Sequence, residues 1–412
     1  MVSRRLVAVV AVAVLAPLGL AACGDDDKDS SAWVGSTPGA SSGPSEVAQQ
    51  QSAPAGDVQI AVTPATGKKD VPISAEIGVT VTGGTVKSVA LRDSKGGNVA
   101  GEMREDGSSW IPAKPLKTKQ AYAATVVAAD AAGTEKTATT SFTTMGKAGK
   151  ETGTGLYLFD DRTYGVAMPV VAEFNPGIKK KDRAAVQKRM LVKTEPAQPG
   201  TWSWTSSGTQ AYYRAPEHWK PGTTLTVRLA VGGLPTGGGR YGDQDRAAKS
   251  KIGRDFEMKV DNKTKKMTVV QDGKTIKTMP VSLGKSSTPS SSGKMVVMEK
   301  KASTVFDTTD TDGASGYRTN IEYAQRLTWS GQYIHSAPWS VGSQGRNNVS
   351  HGCVNVSPSN ARWLFDKTLI GDPVTVTGTG DKLDYGNGWT PWNVSWKEFA
   401  KGSALPVPDD LG

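Results

Sequence analysis

Residues 350–355 spell Ser-His-Gly-Cys-Val-Asn, and His335 lies fifteen residues before this string. A thiol is a good nucleophile only as a thiolate, and its free pKa is about 8.5. A neighbouring imidazole can take the proton of Cys353 and later return it to a leaving amine. That imidazole needs a third group to fix its tautomer, and Ser336 could supply it through its carbonyl or its hydroxyl. Gly352 lets the backbone approach a reacting carbonyl closely, so the string predicts a cysteine nucleophile beside an oxyanion site.

The cysteine count supports this interpretation. The chain has two cysteines, Cys23 and Cys353, and an unpaired cysteine in an oxidising compartment is a liability unless it is buried or has a function. Zinc binding by His335, His351 and Cys353 is an alternative, but it lacks a fourth ligand and the usual paired spacing of cysteines. A wall peptidase of the NlpC type would place its cysteine before its histidine, and here His335 comes first.

The sequence around the string predicts a β-rich domain over residues 254–379. Apolar residues alternate from the start of this segment, and an Asp-Gly pair between two apolar runs is a strong hairpin signal. Residues 284–316 are polar and too long for an ordinary connection, which is typical of a functional lid. A short strand begins at Cys353. Ser357 and Pro358 then favour the first turn of a short helix.

Two upstream segments, residues 58–146 and 147–253, show short alternating strands punctuated by turn residues. Each has the length of a β-sandwich, and a local pattern of aromatic residue, proline and strand recurs at Trp110 and Tyr213. The sequence therefore predicts two immunoglobulin-like modules, which we expect to act as spacers. The tail, residues 380–412, is rich in tryptophan, which would suit either carbohydrate stacking or packing on the catalytic domain.

The N-terminus predicts export. Arginines at positions 4 and 5 precede a fifteen-residue apolar run, which suits a signal peptide and is short for a transmembrane helix. The run ends in Leu-Ala-Ala-Cys, which resembles the lipobox of bacterial lipoproteins. This resemblance implies a signal peptide over residues 1–23 and a lipid on Cys23, so that Cys353 has no disulfide partner within the chain. Residues 24–57 are rich in Ser, Gly and Pro and predict a flexible linker. We expect an extracytoplasmic protein anchored to the outer face of the membrane.

Composition sets further bounds. The chain has 412 residues and a formal net charge of +10, which suggests an anionic partner such as a wall polymer or an anionic lipid. The Lys and Arg residues are dispersed rather than clustered with aromatic residues, so we do not expect binding to nucleic acid. Abundant Gly, Ser and Thr with few helical patterns favour a mainly β class.

The motif and its surroundings resemble the L,D-transpeptidases with a YkuD-type catalytic domain, which carry a His, a spacer and then Ser/Thr-His-Gly-Cys followed by an apolar residue and Asn or Arg. The match covers residues 254–379, and the upstream modules resemble the bacterial immunoglobulin-like domains of actinobacterial wall enzymes. The resemblance implies Cys353 as the nucleophile, His335 as the general base and Ser336 as the group that orients it. It also implies pocket, substrate or oxyanion roles for Tyr317, Trp339, Ser350, His351, Gly352 and Asn355.

The resemblance further implies a reaction. Cys353 would attack the amide after the third residue of a tetrapeptide stem of peptidoglycan and release the terminal D-alanine. The acyl group would then pass to the side-chain amine of the diamino acid in a neighbouring stem. No metal or organic cofactor is implied, and carbapenem β-lactams are expected to acylate the same cysteine. Transfer to water would instead make the protein an L,D-carboxypeptidase, and a non-catalytic wall-binding lipoprotein is a third possibility.

Overall fold

The computed structural model describes residues 57–307 and 318–411, all of which belong to one compact unit. Strands dominate this part of the chain, which confirms the predicted mainly β class. None of the helices in these ranges is long and apolar enough to cross a bilayer. The predictions for Cys23 and for Tyr317 fall on residues outside the described ranges.

The first segment, residues 57–146, forms two facing antiparallel-rich sheets. A four-stranded sheet has the order β1-β3-β7-β6 and a five-stranded sheet the order β2-β9-β8-β4-β5. The strands are β1 Gln59–Thr63, β2 Lys68–Val71, β3 Ile77–Thr82, β4 Thr85–Asp93, β5 Asn98–Val99, β6 Gly101–Met103, β7 Ser109–Pro112, β8 Ala121–Ala129 and β9 Glu135–Thr144. Alternate residues of β8 are buried, and they meet Trp110 and Phe142 in the core between the sheets.

The second segment, residues 147–253, repeats the two-sheet arrangement. Its sheets have the orders β14-β15-β12-β10-β18-β17 and β11-β19-β16-β13. The elements are β10 Glu151–Leu156, β11 Thr163–Tyr164, β12 Val170–Asn175, α1 Arg183–Gln187, β13 Met190–Glu195, β14 Thr201–Trp204, β15 Gln210–Arg214, β16 Thr224–Leu229, β17 Pro235–Gly237, β18 Arg240–Gly242 and β19 Arg246–Ile252. Two sandwich cores therefore precede the third segment.

The third segment forms a six-stranded sheet of order β22-β21-β20-β28-β23-β29 and a four-stranded sheet of order β24-β25-β26-β27 within the described residues. The elements are β20 Phe256–Asp261, β21 Lys266–Gln271, β22 Lys274–Pro280, β23 Ser291–Val296, β24 Glu299–Asp307, β25 Arg318–Arg326, β26 Tyr333–Ser336, β27 Val354–Val356, α2 Pro358–Lys367, β28 Pro373–Thr377, β29 Asp381–Lys382 and α3 Trp396–Ala400. The short helix predicted after the cysteine is α2, and β29 extends this sheet past residue 379.

The tail does not form a carbohydrate-stacking surface, because Trp389 and Trp392 are buried. Both belong to the core of the second sandwich, so the tail packs mainly on that module rather than on the catalytic domain alone. Trp392 donates its indole N–H to the carbonyl of Ala167 at 2.7 Å. Met298, from the catalytic segment, lies in the same buried cluster. The second sandwich and the catalytic domain thus share a core, and the second module is more than a spacer.

Ion pairs tie the first sandwich to the second. Glu76 of the first module binds both Arg104 of its own module and Arg189 of the second. Burial opposes the ionised form of Glu76, but the two guanidinium groups and Ser109 together lower the pKa of its carboxyl. The Arg228 guanidinium also donates to the Pro112 carbonyl, at 2.8 Å.

Candidate active site

The site is built on two parallel neighbours, β26 and β27. Ile334, Val354 and Val356 are fully buried on one face of this pair and anchor it in the core. Side chains alternate along a strand, so the residues between them face the other side. His335 pairs with Asn355 in the register, which places these two side chains next to each other on that opposite face.

The turn before β27 is held by serine hydroxyls. Ser350 Oγ accepts a hydrogen bond from the Gly352 N–H at 3.1 Å and donates to the Cys353 carbonyl at 2.6 Å. Ser290 Oγ donates to the Gly352 carbonyl at 2.6 Å. Gly352 has φ +123°, which side chains rarely adopt, while the nearest atom to an added Cβ, the Pro289 carbonyl oxygen, would be 3.9 Å away. Glycine is therefore required here by backbone conformation rather than by space.

His335 is buried, and one of its ring nitrogens is hydrogen-bonded to the backbone. Its Nδ1 lies 2.8 Å from the carbonyl oxygen of Ser336, so Nδ1 carries the proton and donates it to this carbonyl. The remaining nitrogen, Nε2, is then the basic one. Burial lowers the pKa of His335, and the bond to the Ser336 carbonyl opposes this shift only in part. The imidazole is neutral at pH 7 and can accept a proton.

Cys353 is 8 % exposed, and its thiol donates to the Gly331 carbonyl at an Sγ···O distance of 3.5 Å. Burial raises the pKa of Cys353 to about 12, although the backbone N–H of Tyr333 acts in the opposite direction. A raised thiol pKa and a lowered imidazole pKa together mean that the resting pair is neutral rather than a thiolate and an imidazolium. The thiol of Cys353 therefore keeps its proton at neutral pH.

Both groups open into one cavity of about 290 Å³. It is lined by Phe306, Thr319, Ile321, His335, Trp339, Val349, Ser350, His351, Cys353 and Asn355. The rings of Phe306 and Trp339 lie 6.1 Å and 6.0 Å from the imidazole of His335, measured between centroids. Trp339 is 60 % exposed, so it offers an open aromatic surface at the rim. The cavity thus brings together a thiol, a neutral imidazole and apolar side chains.

The structure brings most of the predicted site residues together. Six of them line the cavity: Cys353, His335, Trp339, Ser350, His351 and Asn355. Ser336 lies behind His335 and contacts it through its carbonyl, while Gly352 shapes the turn without lining the cavity. His351 is exposed, and its Nε2 lies 3.2 Å from Lys285 Nζ. Within the described ranges, no three His, Cys, Asp or Glu side chains converge to hold a metal ion.

The sequence did not predict the apolar side of the cavity. Phe306 is on β24 and Thr319 and Ile321 are on β25, and these two strands are antiparallel neighbours. Thr319 and Ile321 are two positions apart on one strand, and such residues share a face. This spacing could have predicted that the two side chains lie on the same side of the sheet. Their position near Cys353 depends on the pairing of β24, β25, β26 and β27 in one sheet, which no local pattern encodes.

Comparison with known proteins decides the family. The chain is 33 % identical over 345 residues to L,D-transpeptidase 2 of Mycobacterium tuberculosis, covering 82 % of this chain and 83 % of that protein. The chain belongs to the L,D-transpeptidase family. It is also 34 % identical to L,D-transpeptidase 5 of the same species, over 84 % of this chain and 77 % of that one.

Domain families match the same regions. The L,D-transpeptidase catalytic domain matches residues 255–376 of this transpeptidase, and the bacterial Ig domain matches residues 68–235, a range that spans both sandwiches. A solved L,D-transpeptidase in complex with imipenem is 33 % identical over 54 % of this chain and 97 % of its own, with a TM-score of 0.46.

Proposed function

We propose that this L,D-transpeptidase cross-links peptidoglycan stem peptides through a thioester on Cys353. The observation that carries the proposal is the shared cavity of Cys353 and His335, in which the Nδ1 proton of His335 is committed to the Ser336 carbonyl. That bond leaves Nε2 as the base, the same division of roles that orients the histidine of a catalytic triad. Nucleophile, base and orienting group are thus all present in the described residues.

In the first half-reaction, His335 Nε2 takes the thiol proton as Sγ of Cys353 attacks the carbonyl carbon of the third residue of a tetrapeptide stem. The C–N bond then breaks, and the proton passes from His335 to the leaving amine of D-alanine. A thioester remains on Cys353. The Gly352 N–H is engaged by Ser350 Oγ, so the amide of Cys353 itself is the candidate donor to the oxyanion.

In the second half-reaction, the side-chain amine of a diamino acid in a neighbouring stem attacks the thioester. The new C–N bond forms, the C–S bond breaks, and the amine proton returns through His335 to Sγ. The product links two third-position residues and regenerates the thiol. Water in place of the amine would give L,D-carboxypeptidase activity on the same acyl-enzyme, and neither half-reaction uses a metal or organic cofactor.

Carbapenem β-lactams are proposed as covalent inhibitors. Their strained ring presents an acyl carbon to the thiol, and opening the ring leaves the same kind of thioester. The exposed ring of Trp339 and the apolar side chains of Phe306 and Ile321 would contact the bicyclic skeleton. Because the resting thiol is protonated, its rapid acylation by the inhibitor requires a base to accept the proton. The rate of acylation should therefore depend on His335.

Lipid anchoring is proposed for the N-terminus, because Leu-Ala-Ala-Cys follows an apolar run and precedes a polar linker. The protein would then be extracytoplasmic, attached through Cys23 to the outer face of the membrane and extending into the wall. Cys23→Ser should move the protein from the detergent phase to the aqueous phase after detergent phase separation. Unchanged partitioning would rule out the anchor.

The reaction itself is tested with purified protein and tetrapeptide-bearing muropeptides, with products analysed by mass spectrometry. The proposal predicts D-alanine release and a dimer whose mass equals two stems less one D-alanine. Release of D-alanine with tripeptide alone would favour the carboxypeptidase. No release under conditions in which the protein is folded would contradict the proposed function.

A further inference from the structure

Asn355 is a buried polar residue in the wall of the cavity. It is 2 % exposed and lines the cavity, yet its Oδ1 has no hydrogen-bond partner among the described residues. It follows Cys353 by two residues and is paired with His335 in the sheet register. A buried acceptor without a partner is uncommon in folded proteins and calls for an explanation, such as a role in catalysis.

The other end of the amide is fixed. Asn355 Nδ2 donates to Ser340 Oγ at 3.3 Å, and Ser340 Oγ donates to the Ala337 carbonyl at 3.1 Å. Gln344 Nε2 donates to Ser340 Oγ at 3.2 Å and to the same carbonyl at 3.4 Å. A hydroxyl has one proton, and that of Ser340 is given to Ala337, so its oxygen accepts from both amides. This network turns Nδ2 towards Ser340 and leaves Oδ1 as the free end.

We propose that Ser340 and Gln344 are positioning residues that hold Oδ1 of Asn355 to receive an N–H of the attacking amine in the second half-reaction. The inference rests on the proposed function and adds the group that binds the acceptor. The neutral amine carries two N–H bonds: one proton passes to His335 Nε2 as the C–N bond forms and the C–S bond breaks. The second N–H stays on the nitrogen and needs an acceptor in the cavity.

Asn355 is suited to that second N–H for geometric reasons. The amine must lie against the thioester on Cys353 and beside His335, and Asn355 is adjacent to both on the same sheet face. A buried N–H without an acceptor is destabilised, so an acceptor at this place favours the approach of the amine. The acceptor amine is part of a stem peptide, and binding of that peptide orients the amine towards the thioester. A water molecule is not oriented in this way.

The test separates acylation from transfer. The proteins compared are the parent, Ser340→Ala and Ser340→Thr. The rate of carbapenem adduct formation is measured for each without acceptor. The rate of cross-linking is then measured for each as a function of acceptor concentration. Ser340→Ala should raise the KM for the acceptor about tenfold, the effect of losing one well-placed hydrogen bond, while adduct formation changes by less than about twofold. Ser340→Thr keeps the hydroxyl and should restore a KM near that of the parent.

Ser343→Ala is the matched control, since Ser343 lies in the same turn outside the network. If Ser340→Ala fails to fold, as judged by the absence of a cooperative thermal unfolding transition, Gln344→Leu replaces it and should raise the acceptor KM by about threefold. The inference would be overturned if Ser340→Ala left the acceptor KM unchanged, or if it slowed adduct formation by the same factor by which it raised the acceptor KM. The same change in acceptor KM in Ser343→Ala would also overturn it. A parent that releases no D-alanine would instead contradict the proposed function.

Discussion

At the scale of single residues, the proposed chemistry starts from a neutral thiol and a neutral imidazole. The pKa of Cys353 is raised to about 12 and that of His335 is lowered, both because burial disfavours the charged form. In the proposed mechanism the thiolate therefore forms during attack, by proton transfer to Nε2. The sequence left open whether the carbonyl or the hydroxyl of Ser336 orients the imidazole, and the structure assigns this role to the carbonyl. No sequence pattern could decide this, because both groups belong to the same residue.

His335→Ala should slow carbapenem adduct formation at pH 7 by about 10²–10⁴-fold, since the base is lost. Its rate should then rise about tenfold per pH unit, because only the thiolate fraction reacts below the raised pKa of Cys353. For the parent, the rate of adduct formation should fall only below pH 6.5, which is the ordinary pKa of histidine. The pKa of His335 is lowered, so its imidazole is neutral at and above this pH. Rapid-quench mass spectrometry across pH 5–10 measures both profiles.

Ser336→Ala provides the control for that experiment. Because the carbonyl orients His335, removal of the hydroxyl should change the rate by less than about threefold. A loss in Ser336→Ala as large as that in His335→Ala would mean that the hydroxyl, and not the carbonyl, fixes the tautomer.

At the scale of elements, α2 begins where β27 ends and supports it. Ser357 Oγ accepts the N–H of Asn360 at 3.4 Å, and Pro358 opens the first turn. Ala361 and Leu364 on the buried face pack with Val354 and Val356 in one core. The cap was predictable because Ser-Pro is a local signal, whereas the packing of α2 on β27 was not, since it depends on residues brought together by the fold.

Ser357→Ala should lower the free energy of unfolding by about 1 kcal/mol through loss of the cap. The catalytic rate of the remaining folded protein should stay near that of the parent, since Ser357 does not line the cavity. Urea unfolding measures the first effect and D-alanine release the second. A variant of parental stability would show that the 3.4 Å contact contributes little.

At the scale of the whole molecule, the second sandwich and the catalytic segment share a hydrophobic core and are not independent modules. The tail brings Trp389, Trp392 and Phe399 into the core of the second sandwich, together with Met298 of the catalytic segment. The sequence predicted the three β-rich segments, because alternation and turns are local. It could not predict the shared core, since the Ala167–Trp392 bond joins residues more than two hundred positions apart.

Trp392→Ala should destabilise the protein by about 3–5 kcal/mol, because a large buried side chain leaves a cavity. Its removal also deprives the Arg214 guanidinium, 4.6 Å from the ring, and the Ala167 carbonyl of a partner. Calorimetry should show the second sandwich and the catalytic domain unfolding together at a lower temperature. Trp396→Ala, at a partly buried site of the same tail, should cause a smaller shift. Equal shifts would argue against a shared core centred on Trp392.

The central claim is that Cys353 carries the acyl group, and intact-protein mass spectrometry after carbapenem treatment tests it most directly. The parent should gain the mass of one inhibitor molecule. Cys353→Ala should gain none while keeping the melting temperature of the parent within a few degrees, because a buried Cys and Ala are similar in size. An adduct on Cys353→Ala equal to that on the parent would contradict the account.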